Sequence, residues 1–205
     1  MAATPSRDGP DARPGNNPLE LVREWYGEAV DAGLPEPNAM ALATATPEGV
    51  PSVRFVLLKG IDDRGVQFFT NYESRKGREL AVNPHGALAM YWHPLHRQIR
   101  VEGDVEVLAP EESDGYFATR AYGSKIGAWA SLQSQAIPDR EWLEARVAET
   151  AARFPETVPR PPYWGGYRVV PRIVELWQGR ENRLHDRRQF IRRPDGSWHE
   201  QRLSP

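Results

Sequence analysis

The chain has no cysteine. Disulfides and thiolate-held metals are therefore excluded, and a reducing, cytoplasmic setting is the expected location. Long apolar runs are also missing. None approaches the roughly 20 residues that a helix needs to cross a bilayer, so no membrane association is expected. Charge of one sign is scarce: 26 Lys+Arg against 28 Asp+Glu leave a formal net charge of −2. Such a balance gives no whole-molecule attraction to nucleic acid or anionic lipid. Any basic cluster must then be a local site or a solvated face. No GxGxxG and no Walker loop occurs, so a nucleotide-like ligand would have to be held by another device. Residues 1–16 lack both an apolar segment and any periodicity, and read as a disordered N-terminal arm rather than a secretory signal.

The remainder, 17–205, is long enough for one compact domain with a core. Asn17 is placed to cap a helix, with Pro18 at its first position and Glu20 completing a capping-box pattern. Leu21, Val22, Trp25, Ala29 and Val30 then form a stripe at helical spacing, which Gly33 and Pro35 end. From Ala39 the period shortens to two. Ala39–Thr46, Pro51–Lys59 and Val66–Asn71 read as strands separated by the turn sequences Pro47-Glu48-Gly49 and Asp62-Asp63-Arg64-Gly65. A short helix is expected over Ser74–Val82, then strands over Gly86–Trp92 and Arg97–Leu108. Helices follow over Pro110–Thr119 and Asp139–Phe154. Strands over Tyr167–Gln178 (interrupted at Pro171), Arg183–Ile191 and Trp198–Leu203 close the chain. Short links force antiparallel neighbours. The expectation is an α+β protein built on a closed antiparallel barrel with peripheral helices.

Several residues could carry chemistry. Ser74-Arg75-Lys76 joins a hydroxyl and two cations to a helix start, a plausible phosphate site. Arg54 and Lys59 bracket an apolar strand but differ in parity, so one site could use both only if Lys59 reaches from the strand end or a bulge intervenes. Gln98 could read the edge of a planar heterocycle, or be a surface polar residue. Tyr116 and Arg120 share a helix face, with Ser124 close behind, and could cradle a second phosphate. The densest group is Arg183, His185 and Arg187. In a strand these alternate residues would leave one face, where three potential cations repel unless anions lie between them.

These residues resemble the pyridoxine/pyridoxamine 5'-phosphate oxidase family. Glu175-Leu176-Trp177-Gln178 through Arg183-Leu184-His185-Asp186-Arg187 follows that family's signature. Arg54 through Lys59, Phe69-Thr70-Asn71, Ser74-Arg75-Lys76, Arg97-Gln98 and Ile126-Gly127-Ala128-Trp129 match in the same order. The likeness runs from Asn38 to Pro205. It implies an FMN-binding split barrel, homodimeric, with the flavin between subunits. It implies cofactor contacts from Arg54, Lys59, Thr70, Arg75 and Lys76, from Phe69 through its backbone, and from Gln98, Gln133, Ser134, Trp177 and Arg187. Substrate contacts are implied for Lys59, Tyr116, Arg120, Ser124, Arg183 and His185. Arg183 and His185 are expected over the reacting carbon, assisting proton removal. The implied reaction oxidises pyridoxamine or pyridoxine 5'-phosphate to pyridoxal 5'-phosphate, with O2 as acceptor and H2O2 as product. Two departures stand out: residues 1–16 do not match the family's basic, Tyr-containing covering segment, and Phe69 stands where Tyr is common.

Other readings remain open at this point. A phenazine-type flavin oxidase could share the scaffold, although Lys59, Tyr116 and Arg120 are unneeded for a substrate without phosphate. A flavin or pyridoxal-phosphate carrier without turnover is a second option. A haem protein using His85, His93, His96 or His199 is a third. No metal site is expected.

Overall fold

The computed structural model describes residues 17–205; the arm expected over 1–16 lies outside the described residues. Helix α1 (Pro18–Asp31) starts where Asn17 accepts the Leu19 N–H at 3.1 Å. The strands follow as β1 (Ala39–Ala45), β2 (Pro51–Leu57), β3 (Gly60–Ile61) and β4 (Val66–Asn71). After α2 (Arg75–Val82) come β5 (His85–Trp92) and β6 (Arg97–Val107). Three helices, α3 (Pro110–Thr119), α4 (Tyr122–Ala130) and α5 (Arg140–Arg153), precede β7 (Trp164–Gln178), β8 (Asp186–Arg192) and β9 (Trp198–Arg202).

Neighbouring strands run in the order β2-β1-β5-β6-β7-β4-β3, every pairing antiparallel. The two ends of that path are consecutive in the chain, since β3 begins three residues after β2 ends. The sheet therefore curls back on itself, giving the expected antiparallel split barrel with helices at its periphery. Strand β7 makes this possible by serving two partners on one side. Its first half pairs with β4 and its second half with β8, while β6 runs along its other edge from Tyr167 to Gln178. A bulge between Glu102 and Gly103 sits opposite Pro171. Pro171 thus bends the ladder without ending β7. Gly103 is required there: a Cβ would lie 2.0 Å from the Val170 carbonyl oxygen.

Parity across the sheet separates two faces. Leu42, Leu88, Val101, Val174 and Phe190 lie in register on five strands, and all are buried in the barrel. The next line over, Ala41, Ala89, Arg100, Glu175 and Gln189, faces outward. On edge strand β2, Val53 and Phe55 are 69% and 76% exposed, leaving an apolar ribbon on the outside.

Two expectations need correction. Pro51–Lys59 is not one strand: it breaks after Leu57, and Lys59 lies in the link to β3. The strand expected from Arg183 begins only at Asp186. Glu181–Arg183 form a short 3-10 turn in which Asn182 and Arg183 have φ of 55° and 62°. Arg183, His185 and Arg187 therefore do not alternate along one strand, and only Arg187 is in β8. Helix α4 had no counterpart in the sequence reading.

Candidate functional site

A cleft of about 750 Å³ opens between the end of β2, β4, α2 and α3, and the loop after α4. It collects Arg54, Lys59, Phe69, Thr70, Lys76, Tyr116, Arg120, Ser124, Gln133 and Ser134, residues scattered over 80 positions of sequence. The parity problem of Arg54 and Lys59 is resolved by the break in the strand, since Lys59 sits past the end of β2.

At one end of the cleft lies a cation cluster built on the start of α2. Ser74 caps the helix by accepting the Gly77 N–H at 3.3 Å. Gly77 allows the turn to close, because a Cβ would lie 2.0 Å from the Tyr72 carbonyl oxygen. The Lys76 ammonium is buried and bonds only neutral groups: Thr70 Oγ1 at 3.0 Å, Ser74 Oγ at 3.2 Å and Gln133 Oε1 at 3.3 Å. Burial, with the Arg54 charge adding to it, pushes its pKa down to about 8. Behind it, buried Glu79 accepts from Ser52 Oγ at 2.6 Å, from Thr44 Oγ1, and from Arg75 Nε at 2.9 Å, with Arg54 Nη2 at 3.4 Å. Burial alone would raise this carboxyl. The hydroxyls of Ser52 and Thr44, then Arg75 and Arg54, outweigh it and hold the pKa at about 2. Because Glu79 takes only the Nε of Arg75, the terminal nitrogens of that guanidinium are left for another acceptor.

The other end is an aromatic wall carrying two further cations. Tyr116 stacks on Phe69 at 4.1 Å and parallels Trp164 at 6.2 Å. The Arg120 guanidinium lies 4.6 Å over Trp164, and Lys59 Nζ lies 5.7 Å from the Tyr116 ring centre. Arg120 Nη1 is buried without a hydrogen-bond partner, and burial lowers the pKa of this side chain. A half-buried guanidinium with an unmet donor, aimed among aromatic rings, calls for an anion. Ser124 lies in the first turn of α4, beside Arg120.

Six expected site residues are elsewhere. Arg75, held by Glu79 beside Lys76, is not among the residues that line the cleft, and Gln98, Trp177, Arg183, His185 and Arg187 form a second group at the far end of β6, β7 and β8. Gln98 pairs with Trp177, and Trp177 with Arg187. These three share the parity of Arg100 and Glu175, so they stand on the outer face of the sheet. The Trp177 ring lies 4.6 Å from that of His185. Arg187 is tied by Nε to buried Glu175 at 2.8 Å, which raises its pKa further. His185 Nδ1 accepts the Arg180 backbone N–H at 3.1 Å, so in the neutral ring the proton sits on Nε2. Arg183 is exposed and held in a left-handed conformation. Ser134, on the cleft rim, also has φ of 69°. Such backbone costs on the order of 1–3 kcal/mol and tends to gather where function requires it.

The sequence reading overlooked Glu79 and Trp164. The Arg75–Glu79 spacing of four on a helix was the available signal for the first, and the Trp164-Gly165-Gly166 run for the second. His85, His93, His96 and His199 do not line the cleft; His85, for instance, pairs with Asp104 at 2.9 Å.

Residues 26–154 match a family model described as pyridoxamine 5'-phosphate oxidase. Residues 164–205 match one described as the pyridoxine 5'-phosphate oxidase C-terminal dimerisation region. A pyridoxine/pyridoxamine 5'-phosphate oxidase of Cupriavidus necator is 58% identical over 189 residues, covering 92% of this chain and 89% of its own. Among solved structures, PhzG from Burkholderia lata 383, in complex with tetrahydrophenazine-1-carboxylic acid, is 38% identical with a TM-score of 0.88, covering 92% of this chain and 93% of that one. A pyridoxamine 5'-phosphate oxidase-related, FMN-binding protein of Nostoc punctiforme has a TM-score of 0.72 at 16% identity, covering 89% of this chain and 97% of that one. That last likeness is one of fold alone.

Proposed function

The chain belongs to the pyridoxamine 5'-phosphate oxidase family, and on that premise we propose that it is an FMN-dependent oxidase. It converts pyridoxamine or pyridoxine 5'-phosphate to pyridoxal 5'-phosphate, reducing O2 to H2O2, and works in the cytoplasm with residues 17–205 as one domain. The observation that carries this reading is a pair of cations with no acidic partner in one cleft: buried Lys76, bonded only to neutral groups, and Arg120, with one buried nitrogen unpaired. Two phosphate esters satisfy both. The residues fit FMN: a buried ammonium with only neutral partners, the free end of Arg75, and the hydroxyl of Thr70 converge as a dianion requires.

When bound, FMN supplies the hydride acceptor and passes the electrons on to O2. In this reading the chain binds and orients. Lys76, Arg75 and Arg54 hold the flavin phosphate. Gln133 and Ser134 lie along the cleft rim, and Gln98 offers an amide edge to the ring system. Lys59, Tyr116, Arg120 and Ser124 hold the substrate phosphate. Arg183 offers hydrogen-bond donors and no acceptor. His185, with Nδ1 occupied, presents a donor at Nε2. Both therefore steer and polarise the C4' substituent rather than deprotonate it outright.

The second group stands on the outer sheet face, away from the cleft of its own chain. In a homodimer, Trp177, Arg183, His185, Arg187 and Gln98 of one protomer would complete the cleft of its partner. The exposed ribbon Val53, Phe55 and Leu57 and the C-terminal dimerisation match support this arrangement.

The likeness to PhzG keeps one further substrate class in view. Purified protein is expected to be yellow and to form peroxide and an aldehyde from pyridoxamine 5'-phosphate in air. A yellow protein inert to that substrate would refute the assignment, pointing to a carrier or to a phenazine-type substrate. A Soret band would replace FMN by haem.

A further inference from the structure

Arg168 lies outside the cleft yet ties together the two elements that flank its substrate end. Its guanidinium is buried, with the side chain 5% exposed, and it rises from the first half of β7, opposite Gln67 of β4. Three carboxylates converge on it: Asp62 at 2.6 Å, Glu106 at 2.9 Å and Glu112 at 3.1 Å. A single arginine would serve to neutralise one acid; three from separate segments make it a junction.

Two of those acids lead into the site. Asp62 closes the β3–β4 turn, accepting the Arg64 and Gly65 N–H groups and the Gln67 side-chain amide, all at 2.9 Å. The same hairpin fixes Lys59, whose N–H donates to the Gln67 carbonyl at 2.9 Å. Glu112 sits in the first turn of α3 and also accepts the Ala109 N–H at 3.2 Å. Tyr116 follows it by four residues, on the same side of the helix, and Arg120 is the residue that ends the helix at its C-cap. The rotation of α3 about its axis sets where Tyr116 and Arg120 enter the cleft, and the Glu112–Arg168 bond fixes that rotation against the Lys59 hairpin.

We propose that Arg168, acting through Asp62 and Glu112, is a positioning residue that sets the spacing of Lys59 against Tyr116 and Arg120, and thereby the affinity for the substrate phosphate. This rests on the assignment of that end of the cleft to the substrate phosphate. A displacement near 1 Å between such groups is enough to weaken a bidentate anion contact severalfold. The flavin phosphate end, built on α2, does not depend on this junction.

Removing Arg168 itself would leave three carboxylates facing one another and could unfold the chain. The half-exposed Glu112 offers the cleaner break. In Glu112→Ala holoenzyme, KM for pyridoxamine 5'-phosphate and the dissociation constant of pyridoxal 5'-phosphate are each expected to rise about 3–10-fold. The kcat should stay within about twofold and FMN affinity should not change. Glu112→Gln, which can still accept from Arg168 and Ala109, is expected to restore most of the loss. Unchanged ligand affinity in Glu112→Ala, or an equal weakening of FMN, would overturn the proposal while leaving the oxidase assignment intact. Wild-type holoenzyme that fails to bind pyridoxal 5'-phosphate would overturn both.

Discussion

FMN binding should weaken as pH rises through the titration of Lys76. In the protein without FMN the ammonium is held at a pKa of about 8 by burial, with Arg54 close by. A phosphate dianion beside Nζ favours the charged form, so the bound complex keeps its proton. Below pH 8 the charge is already present and binding takes up no proton. Above pH 8 binding must draw one from solvent, and the dissociation constant grows in proportion to 1 + 10^(pH−8). Between about pH 7 and pH 9 that factor rises roughly tenfold, or about 1.4 kcal/mol. The phosphate ester, with a second pKa near 6, stays dianionic over this range, and no histidine lines the cleft. The slope therefore belongs to Lys76. Quenching of flavin fluorescence on titrating FMN with apoprotein measures it directly. Lys76→Arg keeps its charge throughout and should flatten the curve, and riboflavin, which has no phosphate, should show no slope with wild type. A flat wild-type curve, or the same slope in Lys76→Arg, would refute the reasoning.

Arg120→Met keeps some contact with Trp164 but removes the unmet donor, so KM for the phosphorylated substrate should rise about 10–100-fold, matching ~1.5–3 kcal/mol for a charged hydrogen bond, with FMN affinity retained. Glu79 has its carboxyl lowered from 4.5 to about 2 in the fold, so its contribution is present above pH 4.5 and is lost as pH falls toward 2. Urea unfolding should show wild type losing on the order of 3 kcal/mol more than Glu79→Gln across that window. Phe55→Glu places a charge on the exposed β2 ribbon, and sedimentation should show monomer, with FMN retention falling alongside.

The sequence pattern was legible wherever local chemistry decides structure. Val66–Asn71 and Pro110–Thr119 have the expected limits, because a Gly-containing turn marks the start of one and a proline at the first helical position marks the other. Helix α4 was hidden. Its run Tyr-Gly-Ser-Lys-Ile-Gly-Ala-Trp-Ala has two glycines and follows Ala121, which offers no capping side chain. It is held instead by tertiary contacts, such as Trp129 against Tyr163 and Phe154. The start of β8 was misread because period-two alternation carries no warning that Asn182 and Arg183 adopt positive φ. The cationic group around Arg183 was visible in sequence, but its division from the cleft was not. Which face of the sheet a residue occupies depends on register with β6 and β7, and that is set by pairing far along the chain.

The acids of this protein sort its site cations into two kinds. Arg54 and Arg75 share Glu79, and Arg187 shares Glu175 with Arg100. Lys59, Lys76, Arg120 and Arg183 pair with no acid among the described residues. For exposed Lys59 and Arg183 that means little, since water screens a free charge. For buried Lys76 and for Arg120, with a nitrogen cut off from solvent and from every acceptor, it means that the fold leaves desolvated charge unanswered at two places in one cleft. One phosphorylated molecule on Lys76 at the start of α2 and another on Arg120 at the Trp164 wall answer both charges, and that is the demand an oxidase with a phosphorylated cofactor and a phosphorylated substrate makes of its protein.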